Sequence, residues 1–307
     1  MQLTNIKNVQ ISICTYRRPE LLKKLLISIF EAMKPSIFKL SILIVDNDID
    51  ESAKPVISEF NNDEININYL AESSRNISVV RNACLAMGLE TSADFILFLD
   101  DDEFIGTSYF VELEKSYLKY KPDIIIGPVI TVYYPNTPRW VLASKIFERA
   151  RHITGKKLST GNTGNAFVSI ELIKKVGLFD PEYGRSGGED SNYFYRCKAF
   201  NAKFIWCNEA EAFEYLAVER ANLKYATLRA RRGGQTYIKI RADDMSLGNK
   251  LTLVLVKLIS GLIGIGLGYI ISLLTNKYYG TPLLIRSIAR LGHVEGLIGK
   301  TVYMYGE

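Results

Sequence analysis

One stretch constrains the chain more than any other: Asp94-Phe-Ile-Leu-Phe-Leu-Asp100-Asp101-Asp102-Glu103. An unbroken apolar run between two aspartates reads as a strand buried on both faces, the pattern of a sheet covered by helices on either side. The strand runs directly into four consecutive carboxylates. Held that close, each makes ionisation of its neighbours more costly. A divalent cation would remove the penalty, because carboxylate oxygens are the ligands that Mg2+ and Mn2+ prefer. The cluster also falls just past the carboxyl end of its strand, where open α/β sheets bind ligands. A solvated acidic turn is the plainer alternative, and the rest of the chain has to decide between them.

Upstream, Val9-Gln-Ile-Ser-Ile-Cys14 predicts a first strand, broken by Thr15-Tyr-Arg-Arg-Pro19. An amphipathic helix from Glu20 to Met33 follows, with Pro19 near its first turn, where a missing N–H costs nothing. Leu40 to Val45 predicts a second strand ending in Asp46-Asn47-Asp48. Asn66 to Leu70 predicts a short third strand, and Ser78 to Glu90 a helix carrying Arg81 and Asn82. This alternation argues for an α/β fold with a mostly parallel sheet and helices on both faces. Polar residues sit immediately after the strands: Thr15 and Arg17, then Asp46, then Asp100 to Glu103. Separate loops build a nucleotide crevice in that way.

Neither a G-x-G-x-x-G after the first strand nor a G-x-x-x-x-G-K-[ST] occurs. Dinucleotide redox chemistry and P-loop phosphoryl transfer therefore lack their phosphate cradle. Phosphates bound here would be neutralised by a metal on the acidic cluster and by cations such as Arg17 and Arg81. Each of those two reads equally well as an ordinary surface arginine.

Taken in order, four segments carry a resemblance: Cys14-Thr15-Tyr16-Arg17-Arg18-Pro19, Ile44-Val45-Asp46-Asn47, Ser78-Val-Val-Arg81-Asn82 and Phe98-Leu99-Asp100-Asp101-Asp102-Glu103. Together they resemble the family 2 glycosyltransferases of GT-A fold, most closely the bacterial subgroup that builds exopolysaccharide repeat units of the succinoglycan type. The resemblance implies a Rossmann-like GT-A catalytic domain over residues 1–240, a nucleotide-sugar donor of the UDP-sugar kind, and Mn2+ or Mg2+ as cofactor. It implies that Asp46 recognises the base, with Thr15 and Arg17 lining the same pocket. Asp100 would contact ribose or metal-bound water, with Asp101 beside it in the donor site. Asp102 would coordinate the metal, and Arg81 would contact the diphosphate region.

Downstream, Lys121 to Ile130 predicts a further apolar strand leading to a loop with Tyr133, Tyr134, Pro138 and Trp140. Those aromatic faces either stack on an acceptor sugar or pack on the core. Ser159 to Asn165 is polar and glycine-rich, which permits close backbone approach to a ligand. In the resembling family the equivalent stretch lines the donor-sugar pocket; otherwise it is a tight turn before Ala166 to Ile170. Gly187-Gly188-Glu189-Asp190 opens a helix running to about Phe200. Acidic residues in a first helical turn can serve the macrodipole alone. Glycosyl transfer with inversion needs one carboxylate to deprotonate the acceptor hydroxyl. A metal-stabilised diphosphate leaves without a second carboxylic acid, unlike the aglycone in glycoside hydrolysis. The resemblance places the base at Asp190, with Glu189 orienting the acceptor or supporting the loop.

Processive members of the family carry Gln-x-x-Arg-Trp, whereas here Arg229-Ala-Arg231-Arg232-Gly233-Gly234-Gln235 has no Arg-Trp after it. Single-sugar addition is expected, with Trp140, Arg229 and Arg232 as acceptor contacts. The arginine cluster closes over the donor diphosphate, meets a lipid phosphate, or is a solvated basic face.

The overall charge of +5 conceals an asymmetry: residues 1–219 hold 25 Lys+Arg against 29 Asp+Glu, and residues 220–307 hold 13 against 4. A basic end suits an anionic membrane surface or a polyanion. Nucleic acid is the weaker option, since no recognition motif accompanies the charge. The same region, 241–307, is strongly apolar, and the run after Lys257 is at the lower edge of the ~17–25 residues that span a bilayer. Four glycines within it, Gly261, Gly264, Gly266 and Gly268, suit a membrane helix better than a soluble one. Basic residues flank both sides, so the positive-inside tendency gives no direction for a crossing. With a second, amphipathic helix over Pro282 to Gly299, a shallow hairpin in the cytoplasmic leaflet fits best, against a soluble helical subdomain.

The amino terminus shows no secretory pattern, and the four cysteines lack metal-ligand spacing, which suits reduced thiols. The expected activity is transfer from a nucleotide-sugar to a polyprenyl-diphosphate-linked saccharide at the cytoplasmic face of the plasma membrane. The alternatives are a sugar nucleotidyltransferase and a non-catalytic membrane-bound scaffold. Oligomeric state leaves no trace in the sequence.

Overall fold

The computed structural model describes residues 6–60 and 64–300; the amino-terminal residues 1–5, read above for a secretory pattern, lie outside them. The first half of the chain runs β1 (Lys7–Thr15), α1 (Pro19–Glu31), β2 (Phe38–Asp46), α2 (Lys54–Ser58), β3 (Asn66–Ala71), α3 (Ile77–Glu90) and β4 (Phe95–Asp100). Period-two alternation in these strands sets the layers. Ile42 and Ile44 of β2, with Phe95, Leu97 and Leu99 of β4, pack against Leu22, Leu25 and Leu26 of α1. Their neighbours Leu43, Val45, Ile96 and Phe98 face the other way, onto Val80 and Leu85 of α3. Both faces of each strand are therefore core. Full burial of one such side chain is worth about 1.5–3 kcal/mol.

The second half continues with β5 (Glu103–Ile105), α4 (Tyr109–Tyr120), β6 (Ile124–Ile126), β7 (Val129–Val132), α5 (Arg139–Ser144), β8 (Lys157–Leu158) and β9 (Asn165–Ser169). Then come α6 (Ile170–Val176), α7 (Glu189–Ala199), β10 (Phe204–Trp206) and β11 (Ala212–Tyr215). Among the described residues the main sheet has eight strands in the order β3-β2-β1-β4-β9-β6-β10-β8, and a smaller sheet has the order β5-β11-β7. The block β3-β2-β1-β4 is parallel throughout. Beyond it, β9 runs antiparallel to both β4 and β6.

The single strand expected over 121–130 is two strands that part at Gly127 and Pro128, one for each sheet. Pro128 has no N–H for a ladder. Asn165 Nδ2 also donates to the carbonyls of Pro128 and Ala210, both at 2.9 Å, and pins the break.

Three helices finish the chain: α8 (Leu223–Arg241), α9 (Leu247–Leu274) and α10 (Lys277–Leu297). The boundary expected at 240 falls at the end of α8, which packs along α10. α10 lies between α9 and α8 and also touches α5. It begins ahead of Pro282, the residue at which the sequence pattern placed its start. The glycines of α9 divide by face. Gly261, Gly264 and Gly268 are buried against α10, where a Cβ on Gly261 would lie 2.8 Å from Leu291 Cδ2; Gly266 faces open space. The opposite face presents Leu255, Ile259, Leu262, Ile263 and Leu273 to the outside. α9 is the one helix among the described residues that is long and apolar enough to cross a membrane. Its 28 residues make it ~42 Å long at 1.5 Å per residue.

Candidate active site

Parallel register assembles the first part of the site. Thr15 of β1 pairs with Asp46 of β2, and Cys14 pairs with Asp100 of β4, so the three polar strand ends stand in one row. The acidic turn after β4 then divides its carboxylates among different partners. Asp101 accepts from the Thr15 hydroxyl at 2.8 Å and from Arg18 at 3.0 Å. Asp102 accepts from the same Arg18 at 3.2 Å and has Arg220 at 3.9 Å. Asp100 faces Arg81 at 3.4 Å. Glu103 turns inward, taking the Asp100 N–H on one oxygen at 3.0 Å, while its other oxygen is buried without a partner among the described residues. Three arginines thus meet part of the repulsion that the sequence assigns to a cation.

The remaining electrostatic strain shows in the titration of the cluster. Burial pushes Asp101 up to about 6 against the pull of Arg18, with Asp102 adding to the rise. Burial, then the neighbouring Asp100, raises Asp102 as well. The same two causes hold Glu103 well above the carboxylate range.

Asp46 is fully buried. It accepts from the backbone N–H of Asp48 at 3.0 Å and of Ala53 at 2.8 Å, and from the Tyr69 hydroxyl at 3.3 Å. A carboxylate has about four lone-pair sites, so one is left. Arg17 sits at the rim of this end. Its backbone is left-handed at φ 53°, and its guanidinium meets Asp48 at 3.0 Å and Asp50 at 2.9 Å, away from the acidic turn. The left-handed residue sends the chain round so that Arg18, rather than Arg17, reaches the cluster.

Arg81 joins the two halves of the site. It is nearly buried, donates Nη1 to Glu189 and Nη2 to Asp100, and so ties the opening of α7 to the end of β4. Burial alone would lower its pKa, but Glu189 and Asp100 outweigh it and the net shift is upward. Glu189 is raised by burial, with Asp190 adding and Arg81 opposing, and its second oxygen is buried without a partner among the described residues. Asp190 is half-buried, accepts the Ser191 N–H at 2.6 Å, and lies within electrostatic reach of Arg81. Two glycines make this opening: Gly187 and Gly188 have φ of 78° and 95°, which side chains rarely adopt, and a Cβ on Gly188 would collide with Thr236 of α8.

The loop before β9 closes over the acidic turn. A Cβ on Gly164 would lie 2.7 Å from Glu103 Oε1 and 3.2 Å from Asp100 Oδ2. Arg149 reaches Asn162 of this loop at 3.3 Å and Glu214 of β11 at 3.3 Å. Glu214 also faces Arg220 at 3.4 Å, and its carboxyl is raised by burial and then by Asp102. Arg18, Arg149, Glu214 and Arg220 are the residues that sequence reasoning missed. The second arginine of Thr15-Tyr-Arg-Arg-Pro19 is the one signal that pointed to any of them.

Among the described residues no three His, Cys, Asp or Glu side chains converge closely enough to cage a metal. The donor set still suits a hard cation, because Asp100 and Asp102 are neighbouring carboxylates whose mutual repulsion the arginines offset only in part. Mg2+ and Mn2+ sites of this kind commonly take their other ligands from substrate phosphates and water.

The acceptor candidates do not share one surface. Trp140 packs beside Val141, Phe147 and Leu216 in a satellite core. Arg229 keeps part of its surface in solvent but shares a small cavity with Arg149, Glu214 and Arg220, where the shielding of its guanidinium and then the charge of Arg149 lower its pKa. Arg232 points elsewhere, into a cavity between α8 and the Tyr183–Ser186 segment. Arg231 is paired with Glu295 of α10.

The model of glycosyl transferase family 2 matches residues 10–177. The succinoglycan biosynthesis protein ExoM of Rhizobium meliloti (strain 1021) is 29% identical over 238 residues, covering 77% of this chain and 76% of that protein. The structure of S. aureus TarS 1–349 in complex with UDP-GlcNAc matches with a TM-score of 0.55 at 14% identity, over 98% of this chain and 97% of that one. The chain spans 55% of a longer TarS structure. The mannosyltransferase PcManGT from Pyrobaculum calidifontis, in complex with GDP-Man and Mn2+, matches with a TM-score of 0.63 at 15% identity, over 96% of this chain and 88% of that one. Likeness at those identities speaks to the fold, which is GT-A. With the family model covering more than half of its length, the chain belongs to glycosyl transferase family 2.

Proposed function

We propose that this protein is an inverting, metal-dependent glycosyltransferase of exopolysaccharide synthesis. It moves one sugar from a UDP-sugar to a lipid-linked saccharide at the cytoplasmic face of the membrane. The observation that carries the reading is Arg81, which holds the donor-side Asp100 and the base-side Glu189 on one guanidinium. Residues 1–240 carry the chemistry, and 241–307 hold it to the membrane through the outward face of α9. The UDP-GlcNAc bound by TarS and the exopolysaccharide role of ExoM support the donor and the pathway.

In this mechanism Asp46 recognises the base through the loop that it fastens at the backbone of Asp48 and Ala53, and Thr15 and Arg17 line that end. Asp100 and Asp101 face the ribose and diphosphate. Arg81 lies beside the diphosphate and offsets negative charge as the bond to the sugar breaks. A divalent cation, Mn2+ or Mg2+, on Asp102 would supply charge neutralisation to the leaving UDP. Asp190 takes the proton from the acceptor hydroxyl as its oxygen attacks the anomeric carbon from the opposite face, which inverts the configuration. Glu189, fixed by Arg81, sets the position of Asp190.

The test is UDP release from a panel of UDP-sugars by the purified full chain with Mn2+. Slow release from one donor, quickened by a lipid-linked saccharide, is the expected result. A panel in which no donor is hydrolysed or bound would remove the reading.

A further inference from the structure

Beside the Gly187–Gly188 turn lies a cavity of about 220 Å³ whose walls come from α8, the end of α10 and the segment before Asp190. That is below the size of pockets for drug-like ligands and suits a small ion. Its charge is one-sided. Arg232, Lys239 and Lys300 line it together with Ser186, Thr236 and Tyr183, and among the described residues none of the lining is acidic, Asp180, Glu182 and Asp243 lying farther out but within electrostatic reach of Tyr183. Glu295, the nearby carboxylate of α10, is turned to Arg231 and to Gln235, which donates to it at 2.8 Å. Arg232 Nη1 is buried and has no hydrogen-bond partner among the described residues. Lys239 is held 4.4 Å from the centre of the Tyr183 ring. A buried guanidinium nitrogen left unsatisfied, among two further cations and three hydroxyls, is a place where an anion with several acceptor oxygens is stabilised.

The position of the cavity says which anion. On one side its wall continues into the turn that presents Asp190, since Gly188 packs directly on Thr236. On the other side the cavity reaches the carboxyl end of α10, along which α9 runs antiparallel, Gly261 against Leu291 and Gly268 against Gly280, so the part of α9 nearest the cavity is its amino-terminal end with exposed Leu247, Leu251 and Leu255. A phosphate joined to a long apolar chain would seat its headgroup here, lay its tail along α9, and lead its sugar toward Asp190. We propose that this cavity binds the phosphate or diphosphate of the acceptor's lipid carrier, an inference that rests on the transferase reading above.

The experiment measures binding of inorganic pyrophosphate to the full chain by titration calorimetry in EDTA, which removes any divalent cation that could carry the anion to the acidic turn. The Arg232→Ala/Lys239→Ala double variant is expected to bind about tenfold or more weakly, because charge-assisted hydrogen bonds are lost. Lys300→Ala, at an exposed position that leaves the fold intact, is expected to weaken binding in the same direction. Equal affinity in wild type and both variants, or displacement of pyrophosphate by UDP, would overturn the proposal. A second arm identifies the source. Phosphatidylcholine vesicles doped with polyprenyl diphosphate are expected to bind wild type more tightly than the double variant, while vesicles doped to equal charge with phosphatidylglycerol bind both alike. Equal discrimination by the two vesicles, or by neither, would overturn the lipid-carrier assignment. Failure of the transferase reading would show separately, as absence of UDP release by the wild-type chain.

Discussion

Arg81 and Glu189, far apart in the chain, form a nearly buried ion pair, with Glu189 at the first turn of α7 and Arg81 on α3. Because the same guanidinium also reaches Asp100, the pair fixes the distance between the two walls of the site.

Removing one partner of a buried pair leaves an uncompensated charge, at a cost of about 3–5 kcal/mol. Arg81→Met and Glu189→Leu, each made alone, are therefore expected to lower the urea midpoint substantially. Replacing both residues, as Arg81→Met/Glu189→Leu, is expected to cost less than either single change, since it removes both charges. A double variant whose loss equals the sum of the two single losses would show that the two side chains do not act on each other.

Metal removal tests the acidic turn. Sugar transfer is expected to fall by about 10²–10³-fold in EDTA and to return with Mn2+, the range seen when a group that stabilises developing charge is lost. Asp102→Asn is expected to match the EDTA level and to gain little from added Mn2+. Undiminished transfer in EDTA would remove Asp102 from the metal.

The α8–α10 contact has a pH dependence of known sign. The hydrogen bond from Arg231 holds Glu295 below the ordinary carboxylate range. A carboxyl whose folded pKa is depressed contributes stability above its unfolded pKa of about 4.3 and loses it as pH falls through the folded value. Glu295→Gln is therefore expected to cost about 0.5–1 kcal/mol at pH 7, as for a partly exposed pair, and clearly less near pH 3. Melting temperatures of wild type and variant at the two pH values check this; an equal difference at both would contradict it.

The two faces of α9 should respond differently. Ile259→Asp with Leu262→Asp, on the outward face, is expected to abolish co-sedimentation with liposomes and to leave the melting temperature nearly unchanged. Gly264→Leu, on the face that meets Ser287 of α10, is expected to lower stability by about 1–3 kcal/mol through overpacking. Equal liposome binding by the aspartate variant and wild type would remove the membrane role of α9.

The parallel half of the fold was legible because its signal is local and repeated. Ile42 to Val45 and Phe95 to Leu99 are apolar at every position, and only a strand covered on both faces buries them all. The row of Thr15, Asp46 and Asp100 follows from parallel register, which aligns strand ends. What stayed hidden depends on chain reversal and long-range partnership. The antiparallel β9 reads like any apolar strand, and nothing in Ala166-Phe167-Val168 states its direction. Arg149, Glu214 and Arg220 come from separate segments far apart in the chain, and charge has no period to detect. Arg17 and Arg18 are adjacent and alike, and only the left-handed backbone at Arg17 tells which of them faces Asp101.

The proposed transfer depends most directly on Asp190. Transfer by Asp190→Asn, measured against wild type with UDP binding by calorimetry as control, is expected to fall by about 10²–10⁴-fold, the share that a general base supplies, while UDP binds normally. Transfer by Asp190→Asn at more than about a tenth of the wild-type rate, far above that range, would contradict the account.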